Sequence, residues 1–251
     1  MVKAFLNQPV PFAMAHQGGT DVAPGNTMAA FDHAVSLGYR YLETDVQATN
    51  DGVLVLFHDD ELGPLTGGTG TVADHSWAEL SALRIEGHPI PRLDELVDRH
   101  PDARLNLDPK NDGAVEPLIT FLRERALVDQ VCVGSFADAR ISRLSAALGP
   151  GLCRSPGPRG VAWVLVRAAV FRWGRSPVDA LQIPTSQFGI PLTSGWLIRR
   201  IKRLGPQVHV WTVNDEAEMG RLLDNGADAI ITDAVELCRT VLQARGAWPP
   251  D

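Results

Sequence analysis

Tyr41-Leu42-Glu43-Thr44-Asp45-Val46-Gln47-Ala48-Thr49-Asn50-Asp51-Gly52-Val53-Leu54-Val55-Leu56-Phe57-His58 is the stretch that decides the fold. Its two apolar runs, 41–46 and 53–57, read as strands joined by little more than Ala48-Thr49-Asn50-Asp51-Gly52. Parallel neighbours need about a dozen connecting residues or more, so this pair is expected to be an antiparallel hairpin. Residues two apart on a strand share a face, which puts Glu43 and Asp45 in one place. Both sit in strand that is otherwise apolar, where charge is costly unless it is paired or bound to a cation. His58 closes the return arm, and His16 closes a similar run, Phe12-Ala13-Met14-Ala15.

Working outward, strand-like segments fall at 12–16, 41–46, 53–57, 104–108, 131–134, 151–154, 179–183, 208–213 and 229–232. Helix patterns lie between them at 26–37, 93–100, 114–125, 137–147, 161–172, 194–203, 216–224 and 234–244. Asn26-Thr27 is expected to cap the first helix and Gly38 to stop it. Such alternation gives a parallel sheet with helices outside. With the return arm of the hairpin set aside, eight strands remain. The expected architecture is therefore α/β, a (β/α)8 TIM barrel with an extra hairpin strand. The 45 residues between His58 and the next barrel strand exceed what a strand-to-helix connection needs. Residues 59–92, with Gly67-Gly68-Thr69-Gly70, a short helix around 76–83, and Pro89 and Pro91, are expected as an excursion over the C-terminal mouth. The whole chain, 1–251, is expected to form one domain.

Composition narrows the function. The chain has 251 residues, 45% hydrophobic and 21% charged, as an ordinary globular protein does. A net charge of −7 without a Lys/Arg run argues against a nucleic-acid partner. Cys132, Cys153 and Cys238 are far apart and lack CxxC spacing, so they read as core residues of a reducing compartment. Residues 1–8 have no export signature and no apolar run approaches the roughly 18 residues of a membrane span, so a cytoplasmic protein is expected. The segment 161–173 is apolar nearly all round, broken only by Arg167 and Arg172. Two readings stand for it: a barrel helix packed on its neighbours, or a peripheral membrane contact or acyl-chain pocket.

Active sites of such barrels form at the C-terminal ends of the strands. Those ends carry His16, Glu43 and Asp45, Asp108 with Lys110, Ser135, Gln182, Trp211 with Asn214, and Asp233. Glu43, Asp45 and Asp108 offer oxygen donors with no cysteine nearby, which suits one divalent cation, Mg2+ or Ca2+, better than zinc. Lys110 adds a positive charge beside Asp108. With His16 and His58 as acid and base, these residues compose a phosphate site for in-line displacement at phosphorus. Trp211 reads either as lid and substrate wall or as plain core. The other histidines, His33, His75, His88, His100 and His209, read as structural or solvated.

In this order the motifs resemble those of the glycerophosphodiester phosphodiesterase family, a group of phospholipase-C-like TIM barrels. Ala15-His16-Gln17-Gly18-Gly19 resembles the family's H-R-G, and Pro24-Gly25-Asn26-Thr27-Met28-Ala29-Ala30-Phe31 its E-N-T-x-x-A-F. Glu43 to Gly52 resembles its metal-binding hairpin, and Phe57-His58-Asp59-Asp60 its second-histidine motif, followed by T-x-G-x-G at 66–70. Leu107-Asp108-Pro109-Lys110 stands where the family has E-x-K. Gly134-Ser135-Phe136, Val210-Trp211-Thr212-Val213-Asn214 and Ile230-Ile231-Thr232-Asp233 complete the series.

The resemblance implies metal-dependent hydrolysis of glycerophosphodiesters to sn-glycerol 3-phosphate and an alcohol. By motif position His16 and His58 are the acid/base pair. Glu43, Asp45 and Asp108 hold the cation, and Gln17, Lys110 and Trp211 contact the substrate. Four positions depart from the pattern: Gln17 for arginine, Gly25 for glutamate, Asp108 for glutamate and Pro64 for arginine. The losses at 17 and 25 are expected to be coupled. Fewer cations near phosphate also bring lysophospholipids into range as substrates, and a weakly active barrel that binds phosphodiesters or phospholipids is the alternative outside catalysis.

Overall fold

The computed structural model describes residues 2–170 and 174–248. Nine strands share one sheet: β1 (Phe12–Ala15), β2 (Tyr41–Ala48), β3 (Leu54–Leu56), β4 (Arg104–Pro109), β5 (Val131–Val133), β6 (Cys153–Arg154), β7 (Ala180–Pro184), β8 (Gln207–Trp211) and β9 (Ala229–Thr232). β3 runs antiparallel to β2, as the short connection requires, with Val46 opposite Leu56. The other eight are parallel, in the order β6-β5-β4-β2-β1-β9-β8-β7. Around them lie α1 (Met28–Ser36), α2 (Leu93–Arg99), α3 (Val115–Glu124), α4 (Asp138–Leu148), α5 (Pro158–Val170), α6 (Gly195–Arg203), α7 (Glu216–Asp224) and α8 (Val235–Ala244). This is a nearly closed TIM barrel. At the seam β6 is cut short by Pro156 and Pro158, which have no N–H to give a ladder. Side chains bridge it instead: Ser155 Oγ accepts from the Gln182 N–H at 3.2 Å and Asp179 Oδ2 from the Arg154 N–H at 3.3 Å.

The period of two divides the barrel into two cores. Leu42, Val46, Leu105 and Leu107 face the helices, while Phe12, Met14, Tyr41 and Ile231 fill the interior. Along β2 the inward set is Tyr41, then Glu43, then Asp45, rising from floor to mouth. The turn Ala4–Leu6 plugs the floor, with the Phe5 ring edge-on to Tyr41 at 5.0 Å.

The 59–92 excursion packs behind the hairpin at the mouth. Val55 and Phe57, on the outer face of the return arm, join Leu62, Val72, Leu80 and Ile85 in a core of their own. Asn50 N–H donates to His75 O at 2.9 Å and Trp77 N–H to Asp51 Oδ1 at 3.0 Å, tying the excursion to the hairpin turn. A small hairpin near the mouth, Ser186–Gln187 with Ile190–Pro191, gave no sequence signal because all four residues are exposed and do not alternate.

Within the segment 161–173, residues through Val170 belong to α5, and 171–173 lie outside the described residues. Val164 and Ala168 bury one face of α5 against the barrel, but Trp163, Val166 and Val170 stand in solvent. No described helix is long and apolar enough to cross a membrane. The cap of α1 is Thr27 alone, whose Oγ1 accepts from the Ala30 N–H at 3.3 Å. Asn26 stands outside the helix at φ +56° and turns into the barrel.

Candidate active site

A cleft of about 660 Å3 opens at the C-terminal ends of the strands. His16, Glu43, Asp45, His58, Asp108 and Lys110 line one side of it, and Trp211 with Phe136, α5 and the 186–191 hairpin line the other. None of the residues 59–92 lines it. The sequence-expected acid/base and metal residues therefore meet in one place, with Lys110 and Trp211. Gln17 is not among the lining residues.

His16 leaves β1 into a tight turn in which Gly18, at φ +85°, lets α1 come close; a Cβ there would lie 2.8 Å from Phe31 N. The imidazole Nδ1 meets Asp233 Oδ1 at 2.6 Å, and Nε2 faces Glu43 Oε2 at 3.8 Å. Asn214 fixes Asp233 in turn: its Nδ2 donates to Asp233 Oδ2 at 2.8 Å, while its Oδ1 accepts from Asp233 N–H at 2.9 Å. Burial opposes the charge on His16, but the Asp233 hydrogen bond and the Glu43, Asp233 and Asp45 charges outweigh it and lift the pKa to about 9. For Asp233, burial pushes the carboxyl up while His16 and Asn214 bring it below the usual range.

The carboxylates stand on adjacent strands, with Glu43 opposite Asn106 and Asp45 opposite Asp108. Lys110 Nζ lies 2.9 Å from Asp45 Oδ1 and 2.9 Å from Asp108 Oδ2. Asp45 Oδ2 accepts from Gln17 Nε2 at 2.7 Å and from Asn26 Nδ2 at 2.9 Å, and Asn26 Oδ1 accepts from Thr44 Oγ1 at 2.7 Å. Gln17 N–H donates to Glu43 Oε2 at 3.2 Å. Burial, then the Asp45 charge, pushes the Glu43 carboxyl up to about 8 against the pull of His16. Burial also raises Asp108, with Lys110 pulling back. Lys110 is itself raised, because the Asp45 and Asp108 charges outweigh its burial.

His58 stands at the tip of the return arm with half of its side chain in solvent, its Nδ1 on Asp59 Oδ1 at 2.8 Å. Gln47 holds this arm, donating from Nε2 to Phe57 O at 3.1 Å and Asp59 O at 2.8 Å, and Asn111 Nδ2 donates to Gln47 Oε1 at 3.3 Å. Below the mouth, Gln182 Nε2 donates to Asn106 Oδ1 at 2.8 Å, spanning the interior between β4 and β7. Trp211 packs edge-on to Phe136 with centroids 6.0 Å apart.

The donor chemistry fits a hard divalent cation. Asp108 Oδ1 is buried without a hydrogen-bond partner among the described residues, and the raised Glu43 carboxyl reflects the crowding of acids in a buried place. Oxygen donors of this kind suit Mg2+ or Ca2+. Among the described residues no three His, Cys, Asp or Glu side chains converge as a ready-made ligand set. Lys110 supplies the positive charge between Asp45 and Asp108.

Asp233, Asn214 and Asn26 brace this site, yet the sequence reading gave them no role in it. Asp233 and Asn214 were visible only as polar strand ends, and Asn26 was hidden behind its place next to a helix cap.

The Glycerophosphoryl diester phosphodiesterase family model matches residues 16–237. The chain is similar to the probable glycerophosphodiester phosphodiesterase 2 of Mycobacterium tuberculosis, at 37% identity covering 97% of this chain and 95% of the relative. It is also similar to a human lysophospholipase D, at 27% identity covering 88% and 82%. The crystal structure of a putative glycerophosphoryl diester phosphodiesterase from Silicibacter pomeroyi shares the fold, with a TM-score of 0.81 over 98% of this chain and 99% of that one at 22% identity. An Oleispira antarctica phosphodiesterase in complex with the product sn-glycerol-3-phosphate superposes with a TM-score of 0.75 at 26% identity, covering 93% of this chain and 97% of that one.

Proposed function

The chain belongs to the glycerophosphoryl diester phosphodiesterase family, and from that premise we propose that it hydrolyses glycerophosphodiesters to sn-glycerol 3-phosphate and an alcohol. The observation that supports this most is the convergence of His16, His58, Glu43, Asp45, Asp108 and Lys110 on one cleft at the barrel mouth. One histidine takes the proton of the attacking hydroxyl as its oxygen bonds to phosphorus. The other protonates the alkoxide as the old P–O bond breaks. Asp233 positions His16 by holding Nδ1, which leaves Nε2 toward the site. Glu43, Asp45 and Asp108 would hold one divalent cation, Mg2+ or Ca2+, which when bound supplies charge neutralisation at the phosphoryl oxygens. Lys110 and Trp211 meet the substrate directly, whereas Gln17 acts at one remove by holding Asp45.

A second substrate reading has its own support. The wall opposite the carboxylates is built by Val161, Leu165, Phe188, Ile190 and Leu192, apolar surface that a deacylated diester does not need. A lysophospholipid cleaved next to its head group would lay its acyl chain there, as the lysophospholipase D relative suggests. The three free, buried cysteines keep with a reducing, cytoplasmic compartment.

The test is turnover of glycerophosphocholine against lysophosphatidylcholine, each with Mg2+, with Ca2+ and with EDTA. Cation-dependent release of choline from the first is the expected result, and preference for the second selects the lysophospholipid reading. No cation-dependent turnover of any phosphodiester leaves a binding barrel and overturns the enzyme.

A further inference from the structure

Residues 158–203 contain eight Lys/Arg and a single acid, Asp179, whereas the rest of the chain has fifteen Lys/Arg against twenty-nine Asp/Glu. A protein of net charge −7 thus has one strongly basic sector. The same sector holds an unusual concentration of exposed apolar side chains: Trp163, Val166, Val170, Phe188, Ile190 and Trp196. They lie on three elements. Trp163, Val166 and Val170 follow one outward stripe of α5, at helical spacing. Trp196 is on α6, which packs beside α5. Phe188 and Ile190 lie at and beside the turn of the small hairpin that shares the cleft wall with α5.

Two details separate this surface from ordinary scattered exposure. Phe188 and Gly189 stand at the centre of the hairpin turn with φ +50° and +76°, a conformation that favours Asn-Gly. An aromatic held there is strained, and it is 94% exposed. Among the described residues nothing covers the ring, although one edge of it borders the cleft. On both helices, moreover, an arginine stacks on the exposed tryptophan: Arg167 lies 4.8 Å from the Trp163 ring centroid and Arg200 5.0 Å from that of Trp196. Exposed Trp is the chemistry of a bilayer interface, where the ring sits at head-group depth, and the stacked arginine fixes its orientation. Arg159, Arg199 and Arg203 add exposed charge and make no ion pair with a carboxylate among the described residues, whereas Lys202 is tied to Asp228.

We propose that α5, α6 and the 186–191 hairpin form a docking surface for an anionic phospholipid bilayer. The apolar tips enter the head-group region and Arg159, Arg199 and Arg203 take up lipid phosphates. Val161 and Leu165 of α5 and Ile190 of the hairpin also line the catalytic cleft, so the docked surface is continuous with the site. A lipid substrate passes from bilayer to cleft along that wall; this delivery role alone rests on the lysophospholipid reading.

The experiment is vesicle flotation of the full chain in EDTA, with phosphatidylcholine vesicles and with vesicles that also contain phosphatidylglycerol. The anionic vesicles are expected to bind at least about tenfold more tightly, and high salt to weaken that binding. Arg199→Glu/Arg203→Glu is expected to lose about fivefold or more per cation. Val166→Ser/Trp196→Ser is expected to lose binding as well, and both double variants to retain turnover of soluble glycerophosphocholine. The proposal is overturned by absent binding, by equal binding to both vesicles, or by variants that bind like wild type. It is also overturned if the patch joins two copies of the chain, seen as a dimer in light scattering that the same variants dissolve while vesicle binding is unchanged. Flotation reads no chemistry, so a protein that binds vesicles but cleaves no phosphodiester refutes the enzymatic function and leaves the surface standing.

Discussion

β2 and β4 make two cross-strand pairs inside the same barrel, four residues apart, and they could hardly differ more. At the floor Tyr41 stands opposite Arg104; at the mouth Asp45 stands opposite Asp108. The floor pair is complementary. Arg104 Nη1 donates to Tyr41 Oη at 2.7 Å and to Phe5 O at 2.8 Å, the guanidinium lies 5.5 Å from the Tyr41 ring centroid, and Tyr41 O–H donates to Phe5 O at 2.5 Å. The mouth pair is two acids, with Glu43 between the ends, Lys110 as the nearest cation and one carboxylate oxygen unpartnered. Identical backbone register thus carries opposite electrostatics. The floor is complete by itself and serves stability, while the mouth keeps an excess of negative charge that Lys110 only partly offsets.

The sharpest way to break this comparison is at the mouth histidines. His16→Ala and His58→Ala are each expected to lower kcat by about 10^2- to 10^4-fold, the usual worth of a positioned acid or base. Their thermal midpoints should stay near that of the wild type, because neither side chain is part of the floor or of the helix-facing core. Steady-state kinetics with a melting curve for each variant checks both halves. Activity intact in either variant would falsify the proposed roles, and a collapse in stability would erase the distinction between mouth and floor.

The second test is at the floor and reads pH. His209, on β8, is fully buried, edge-on to Phe12 with centroids 5.5 Å apart, and burial depresses its pKa to about 3. With the proton on Nε2, facing Gln207 Oε1 at 3.3 Å, Nδ1 is left as an unpaired lone pair. The folded protein therefore keeps His209 neutral, whereas the unfolded chain takes up a proton below pH 6.5. Its contribution is full above 6.5 and is lost as pH falls toward 3, at about 1.4 kcal/mol per pH unit. Denaturant unfolding between pH 6 and 4 should show a pH slope shallower by about that amount in His209→Gln. Equal slopes would mean that the floor admits charge after all.

How far the sequence could be read follows the same division. The hairpin and the shared face of Glu43 and Asp45 rest on local rules, a loop too short to cross over and a period of two, and those rules hold within a few residues. His16 and His58, which line the cleft, stand out for a related reason, as polar residues that end apolar runs. The braces were harder. Asp233 reaches His16 across 217 residues, and their meeting depends on β1 and β9 lying side by side with Ala15 opposite Thr232. No local pattern encodes that register. Asn26 misled for a different reason: next to a threonine cap it reads as helix chemistry, and only its φ of +56° turns it toward Asp45. The Ala4–Leu6 plug has no periodicity at all, being one turn held by the Tyr41 and Arg104 side chains.

The smallest effect concerns how the mouth pair is held. Gln17 Nε2 donates to Asp45 Oδ2 at 2.7 Å, and a Cβ on Gly25 would lie 2.6 Å from Gln17 Oε1 and 2.9 Å from Gln17 Cβ. The two departures from the family pattern therefore touch, and the coupling expected between them has a steric part as well as an electrostatic one. Gln17→Arg brings a second cation against a carboxylate whose other oxygen already meets Lys110, and this competes with a divalent ion for Asp45. Activity should fall. Gly25→Glu alone should fall too, because its Cβ pushes Gln17 off Asp45. Together the new ion pair draws the arginine away, and part of the loss returns, though the contact at Gln17 Cβ asks the backbone to give by a few tenths of an ångström. In a double-mutant cycle on kcat/KM the interaction energy should be about 1 kcal/mol, roughly fivefold. Strictly additive losses would show that Gln17 and Gly25 act separately on the mouth, and that the steric contact between them carries no coupling.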